Sequence, residues 1–152
     1  GTLWAWGNNG DGVLGQNNRT EYSSPVQIPG TTWSKVTGSQ ESTLALKTDN
    51  TLWGIGTNEA GQLGQNSPHG TKYSSPVQIP GTWSDVFSGS QKSYMASKTD
   101  GTLWAWGSQA GGQFGLNNVT QYSSPVQVPG TWNAGDIGSS GQVFFVMKGI
   151  NT

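Results

Sequence analysis

Cysteine is absent and histidine occurs once in 152 residues. The first absence removes disulfides, thiolate metal sites and a cysteine nucleophile. The second leaves too few imidazoles for a His-based catalytic or metal site. Charge is scarce as well: 10% of the residues are charged, seven basic and eight acidic, for a net charge of −1. Soluble domains usually carry ~25%. With no long run of either sign, the electrostatic footprint of a nucleic-acid or anionic-membrane binder is missing. No apolar stretch approaches the ~18–20 residues of a membrane-spanning helix, and none reads as the apolar segment of a signal peptide. What the chain does have is glycine, 24 residues, and tryptophan, 8. Added to a hydrophobic share of 32%, the glycines bring the apolar fraction to an ordinary globular level. The expectation is one domain over residues 1–152, long enough to bury a core.

That domain is one unit written three times. Thr-Leu-Trp begins at Thr2, Thr51 and Thr102. Tyr-Ser-Ser-Pro-Val-Gln begins at Tyr22, Tyr73 and Tyr122, and a Trp after Pro-Gly-Thr returns at Trp33, Trp83 and Trp132. Gly15-Gln16-Asn17 matches Gly64-Gln65-Asn66 and, more loosely, Gly115-Leu116-Asn117. The units run approximately 1–49, 50–100 and 101–152 and leave no linker.

Each unit reads as β. Thr2–Trp6 alternates Leu3 and Ala5 with Trp4 and Trp6, the period-two pattern of a strand. Pro25–Ile28 predicts a second short strand, bounded by prolines, and Trp33–Val36 a third. Ser42–Leu46 predicts the fourth, matched by Ser93–Ser97 and Val143–Met147. Asp49-Asn50 and Asp100-Gly101 then suit two-residue type I′ hairpin turns, since these residues tolerate positive φ. No 3.6-residue apolar stripe is present, and 24 glycines with 7 prolines argue against helices. Four short strands in about fifty residues, repeated, predict propeller blades. Stacked blades bury both sheet faces, which gives Trp4, Trp6, Trp53, Trp104 and Trp106 something to pack against.

The Gly-His and Trp-Asp dipeptides of WD repeats are absent, and no repeated double glycine of the kelch type precedes the Trp-bearing strands. Gly1–Gly7 reads GTLWAWG, Asn58–Gly64 reads NEAGQLG and Asp100–Gly107 reads DGTLWAWG. These segments resemble the RCC1 (regulator of chromosome condensation) type of propeller repeat. The middle unit departs from it at Ile55, where the others place Trp6 and Trp106. The resemblance implies a seven-bladed fold, of which this chain holds three units. The fold class expected is therefore all-β, a propeller built from three four-stranded blades, as a partial propeller or as half of an oligomeric ring. Thr2–Trp6 and Val143–Lys148 are expected to be open sheet edges that pair head to tail between copies. The alternative expectation is that these residues are a piece of a longer chain.

Most repeated residues have a structural reading. Gly7, Gly12 and Gly15, with their counterparts Gly56, Gly61, Gly64, Gly107, Gly112 and Gly115, are expected at positive φ. Asn8-Asn9-Gly10-Asp11-Gly12 superficially suggests a calcium loop, but Ala60 and Gly111 replace Asp11, and a buried turn fits better. Asp49 and Asp100 have a sufficient role in their hairpins, and the serines lack a partnered base. No cofactor, metal or catalytic residue is expected.

The units differ in the loop before the Tyr-Ser-Ser-Pro element, and variable loops on one face of a scaffold suit binding. Arg19, Glu21, His69, Lys72 and Gln121 are the candidate binding residues there. His69 lies in the insertion Ser67-Pro68-His69-Gly70. Asn18-Arg19-Thr20 and Asn118-Val119-Thr120 are also glycosylation sequons. The leading expectation is a non-enzymatic module for protein interaction or assembly, with a protein or its own copies as partner and no nucleic acid or membrane insertion. The alternative is a carbohydrate-binding, lectin-like propeller with Tyr22, Tyr73 and Tyr122 stacking on sugar. The resemblance also implies guanine nucleotide exchange on a small GTPase and docking on nucleosomes. Those activities use a protruding insertion and a basic arm, which these near-neutral 152 residues do not show. Trp-rich repeats of this style in bacterial and viral chains imply a secreted, cell-surface or virus-particle location.

Overall fold

The computed structural model describes residues 1–67, 69–89, 92–140 and 142–148, with Ala134 and Asp136 described by backbone alone. Pro68 in the second loop, the Asp136 carboxylate and the chain end at Thr152 lie outside the described residues. All regular structure among the described residues is β. The strands are β1 (Leu3–Gly7), β2 (Tyr22–Ile28), β3 (Trp33–Ser39), β4 (Ser42–Lys47), β5 (Leu52–Thr57) and β6 (Lys72–Ile79). They continue as β7 (Trp83–Ser88), β8 (Ser93–Lys98), β9 (Leu103–Gly107), β10 (Tyr122–Val128), β11 (Trp132–Ser140) and β12 (Val143–Lys148).

Sheet boundaries do not follow unit boundaries. β3-β4-β5-β6 and β7-β8-β9-β10 form two antiparallel four-stranded sheets, flanked by the two-stranded pairs β1-β2 and β11-β12. The three complete blades expected are thus two complete sheets and two halves. The reason is local. A tight hairpin joins each fourth strand to the first strand of the next unit, so those strands pair across the unit border. Between second and third strands the chain leaves one sheet for the next at Pro29-Gly30 and Pro80-Gly81. Proline offers no N–H for a ladder there. Glycine, at φ 113° and 133°, lies against the indole of Trp33 or Trp83.

Two local expectations change. The hairpins are not two-residue type I′ turns. Asn50 N donates to Lys47 O at 3.0 Å, Lys47 N donates to Thr51 O at 2.9 Å, and only Asn50 of the pair has positive φ, 64°. The loop is three residues, a turn closed by one left-handed position, and Gly101 (φ 84°) repeats it. The second strand also starts earlier than Pro25, at Tyr22. The proline sits where the β1–β2 register shifts between Ala5 and Gly7, so its missing N–H falls in a bulge.

Three apolar layers hold the sheets together. Leu44, Leu52, Leu63 and Ile79 meet Trp83, Val86, Tyr94 and Trp106 between the two complete sheets. The Trp83 and Trp106 rings lie 5.6 Å apart and Tyr94 lies 6.4 Å from Trp106. All three are fully buried, each worth on the order of 3 kcal/mol in apolar transfer. The Tyr94 hydroxyl donates to Ser42 O at 3.0 Å and accepts from Ser39 N at 3.2 Å, tying one sheet to the other. Burial pushes this phenol above its ordinary pKa. Met95, Leu103, Phe114 and Val128 form the layer toward β11-β12, and Ile28, Trp33, Ala45 and Ile55 the layer toward β1-β2. The alternation expected for the first strand holds: Leu3 and Ala5 pack inward. Trp4 and Trp6 are not buried as expected; they stand 49% and 60% exposed, because among the described residues no sheet covers that side of β1.

Candidate functional site

The three long loops, 8–21, 58–71 and 108–121, leave from the same end of the sheets. Each is organised by one buried amide two residues after a positive-φ glycine. Asn9 Oδ1 accepts from Leu14 N at 3.0 Å, Asn58 Oδ1 from Leu63 N at 2.8 Å, and Gln109 Oε1 from Phe114 N at 2.9 Å. The amide nitrogens reach the far side of the loop: Asn9 donates to Thr20 O at 2.9 Å and Gln109 to Thr120 O at 3.0 Å. The sequence puts Asn9 in a turn and Asn58 at the head of the NEAGQLG segment, but this shared role of the three amides was not among the expectations. The signal was available, since an amide stands at this place in every unit while its neighbours change. All nine glycines expected at positive φ adopt it, from 63° to 112°. Asn8–Gly12 forms the expected turn, with Asn9 and Gly12 buried.

The candidate binding residues fall on this loop face in unequal states. His69 and Gln121, from neighbouring loops, are brought together. His69 Nδ1 donates to Glu59 O at 2.7 Å, and Gln121 Nε2 approaches the same ring nitrogen at 3.4 Å. Lys72 is paired with Asp11 of the preceding loop. Glu21 accepts from Asn8 Nδ2 at 2.9 Å, and Arg19 is exposed. Lys92, from the turn between β7 and β8, pairs with Glu59 and lies 3.9 Å from Glu41. The face is a lateral mesh of opposite charges that crosses from loop to loop.

The three tyrosines begin or adjoin the outer strands and are half-buried. Tyr73 and Tyr122 pack against the layer between the complete sheets. The hydroxyls of Tyr22 and Tyr122 accept from the amides of Asn18 at 3.0 Å and Asn118 at 3.1 Å. Those are the asparagines of both sequons, so each sequon amide is engaged within its own loop.

The opposite face is repetitive. Asp49 Oδ1 accepts from Thr51 N at 3.1 Å and Thr51 Oγ1 at 2.6 Å, and Thr51 Oγ1 accepts from Trp53 Nε1 at 2.8 Å. Lys47 lies over the rings of both Trp33 (4.7 Å) and Trp53 (4.4 Å). Asp100, Thr102, Trp104, Lys98 and Trp83 repeat the arrangement. The threonine bonds hold both carboxyl groups below their ordinary pKa.

Against known proteins, the model for the regulator of chromosome condensation (RCC1) repeat matches residues 1–46. The chain is an RCC1-type repeat protein. Among curated relatives of this repeat type, the mitochondrial RCC1 domain-containing protein RUG3 of Arabidopsis thaliana is 31% identical over 121 residues, 76% of this chain and 27% of RUG3. The RCC2 homolog of Danio rerio is 29% identical over 128 residues, 78% of this chain and 25% of the relative. The chain thus spans about a quarter of the length of the curated relatives it matches. The RCC1-type fold is shared with Prp20p of Saccharomyces cerevisiae at a TM-score of 0.83 and 19% identity, over 99% of this chain and 40% of that one. Human WBSCR16 gives 0.78 at 21% identity, over 96% and 40%. At these identities the structures establish the fold, a partial RCC1-type propeller.

Proposed function

We propose that this RCC1-type chain is a non-enzymatic interaction module whose loop face takes a protein partner. One observation carries the reading: seven charged side chains that do not repeat from unit to unit stand on that face, while the opposite face repeats one Asp-Thr-Trp-Lys arrangement. Asp11, Arg19, Glu21, Glu41, Glu59, Lys72 and Lys92 all belong to the loop face. A mixed-sign surface fits a protein with its own mixed charges better than a polyanion, because charge complementarity selects among partners. The structure of the related Prp20p is described with its binding to Gsp1p and histones, which supports protein binding as the use of such a surface.

A photo-crosslinking residue at Gln121 is expected to capture a discrete protein, whereas one at Asn50 on the opposite face captures none. Excess unmodified chain should compete, and a chain carrying Arg19→Ala, Glu21→Ala, His69→Ala and Gln121→Ala should not. Capture insensitive to those four changes overturns the reading. So does glycan-array binding abolished by Tyr73→Ala, which would make the chain a lectin.

A further inference from the structure

Asn9-Gly10 is the one Asn-Gly step in the sequence. Such a step readily loses its side-chain amide, because glycine leaves the following backbone nitrogen open to close approach. The matched steps in the other two loops are Asn58-Glu59 and Gln109-Ala110, so the shared role of the buried amide does not call for glycine after it. Nor does the backbone. Gly10 does not adopt positive φ, and among the described residues a Cβ built on it meets only Asn8 Oδ1 at 3.6 Å, an ordinary contact.

The closed loop keeps the reacting atoms apart. Asn9 is fully buried. Its Oδ1 accepts from Leu14 N at 3.0 Å. Its Nδ2 donates to Thr20 O at 2.9 Å and Asn18 O at 3.1 Å, with Asn18 Oδ1 at 3.3 Å. Gly10 N, the attacking atom, donates instead to Asn8 Oδ1 at 3.1 Å. The carboxamide cannot swing toward Gly10 N without breaking these bonds, and buried polar groups resist being left unpaired. The loop is in turn fastened to the next sheet. Asn17 N donates to Ser74 O at 2.7 Å, Gly12 lies against Ser74, and Asp11 pairs with Lys72.

We propose that Asn9-Gly10 is a latent deamidation site, shut while loop 8–21 is closed and reactive once it opens. In the open loop the deprotonated Gly10 N attacks Asn9 Cγ. The new Cγ–N bond closes a succinimide ring, the Cγ–Nδ2 bond breaks, and Nδ2 leaves as ammonia, carrying a proton in place of the one Gly10 N gave up. Water then opens the ring at either carbonyl and leaves aspartate or isoaspartate at position 9. Neither product fits the closed loop. Where Nδ2 stood, an oxygen would face Asn18 O, Asn18 Oδ1 and Thr20 O, three acceptors and no donor. A buried carboxylate in that setting is strongly disfavoured. Conversion therefore releases the loop one way, and with it the Asp11–Lys72 pair. The proposal does not rest on the loop-face reading, since none of its readouts needs a partner.

Peptide mapping by mass spectrometry after incubation in mildly alkaline buffer is expected to find conversion at position 9 about ten-fold or more faster in urea than in native buffer, because only the opened loop reacts. Gly10→Ala should slow the reaction in urea without lowering the midpoint of urea unfolding. Asn9→Asp should remove the hydrogen-exchange protection of the Leu14 and Asn17 N–H groups. The Asn66 N–H, bonded to Ser123 O at 2.8 Å in the second loop, should keep its own. Equal conversion in native buffer and urea overturns the proposal, and so does a Gly10→Ala chain that converts as fast as the original. Unchanged protection of Leu14 and Asn17 in the Asn9→Asp chain overturns the one-way release. Failed capture at the loop face leaves all three results standing, so the two readings fail separately.

Discussion

Asn58 holds a long loop through a single amide: its oxygen takes the buried Leu63 N–H and its nitrogen reaches Ser67 Oγ at 2.8 Å. Asn58→Ala strands a buried donor, and a loss of about 1–3 kcal/mol in urea unfolding is expected. Asn58→Gln should recover part of it, since Gln109 performs the same bond in the third unit. Asp49 and Asp100 act at the same scale. Their carboxylates are stabilised by Thr51 and Thr102, first through the hydroxyl and then through the backbone N–H. A carboxyl whose pKa is lower in the folded than in the unfolded chain adds stability above the unfolded value. That stability disappears as pH falls through the folded value. The midpoint of urea unfolding should therefore drop on acidification below about pH 4, and a chain with Thr51→Val and Thr102→Val should show a shallower drop.

Sheet meets sheet through glycine backbone at Gly61, where a Cβ would come within 2.4 Å of Ser123 Cα at φ 74°. Gly112 has nearly the same φ, 73°, but its nearest contact is Asn118 O at 3.7 Å. Ala at either position pays left-handed strain of about 1–2 kcal/mol. Only Gly61→Ala adds overpacking, about another 1–3 kcal/mol. Thermal unfolding at low protein concentration should separate the two variants by that second amount. Equal losses would mean that the loop does not press on the neighbouring sheet.

Across the whole molecule, identical residues have opposite weight depending on what lies beside them. Trp106→Ala empties a filled socket and should cost about 3–5 kcal/mol. Trp6→Ala, at the same place in an identical strand, removes an exposed ring and should change the unfolding free energy of the dilute chain by less than about 0.5 kcal/mol. Denaturant titration at low concentration checks both. A large loss from Trp6→Ala there would mean that β1 is already covered within one chain.

Repetition made the architecture legible. Alternation at Leu3–Trp6, the positive-φ glycines and the hairpin residues Asp49 and Asp100 report local backbone requirements, and a local requirement is written in the residues that meet it. Less of the candidate site could be read. That Lys72 is tied to Asp11, that His69 meets Gln121, and that Tyr73 and Tyr122 lean on the core depend on which loop lies beside which. The sequence by itself determined strand order, turn positions, repeat and family type, because each is fixed within about fifty residues by side-chain period and backbone conformation. Only the tertiary structure decided where one sheet stops and the next begins. The break falls after the second strand, where the chain passes from one sheet to the next at Pro29-Gly30 and Pro80-Gly81, and the packing of sheet on sheet joins distant segments: Trp106 Nε1 reaches Gln62 O of the preceding sheet, while Trp6 in an identical strand stays exposed.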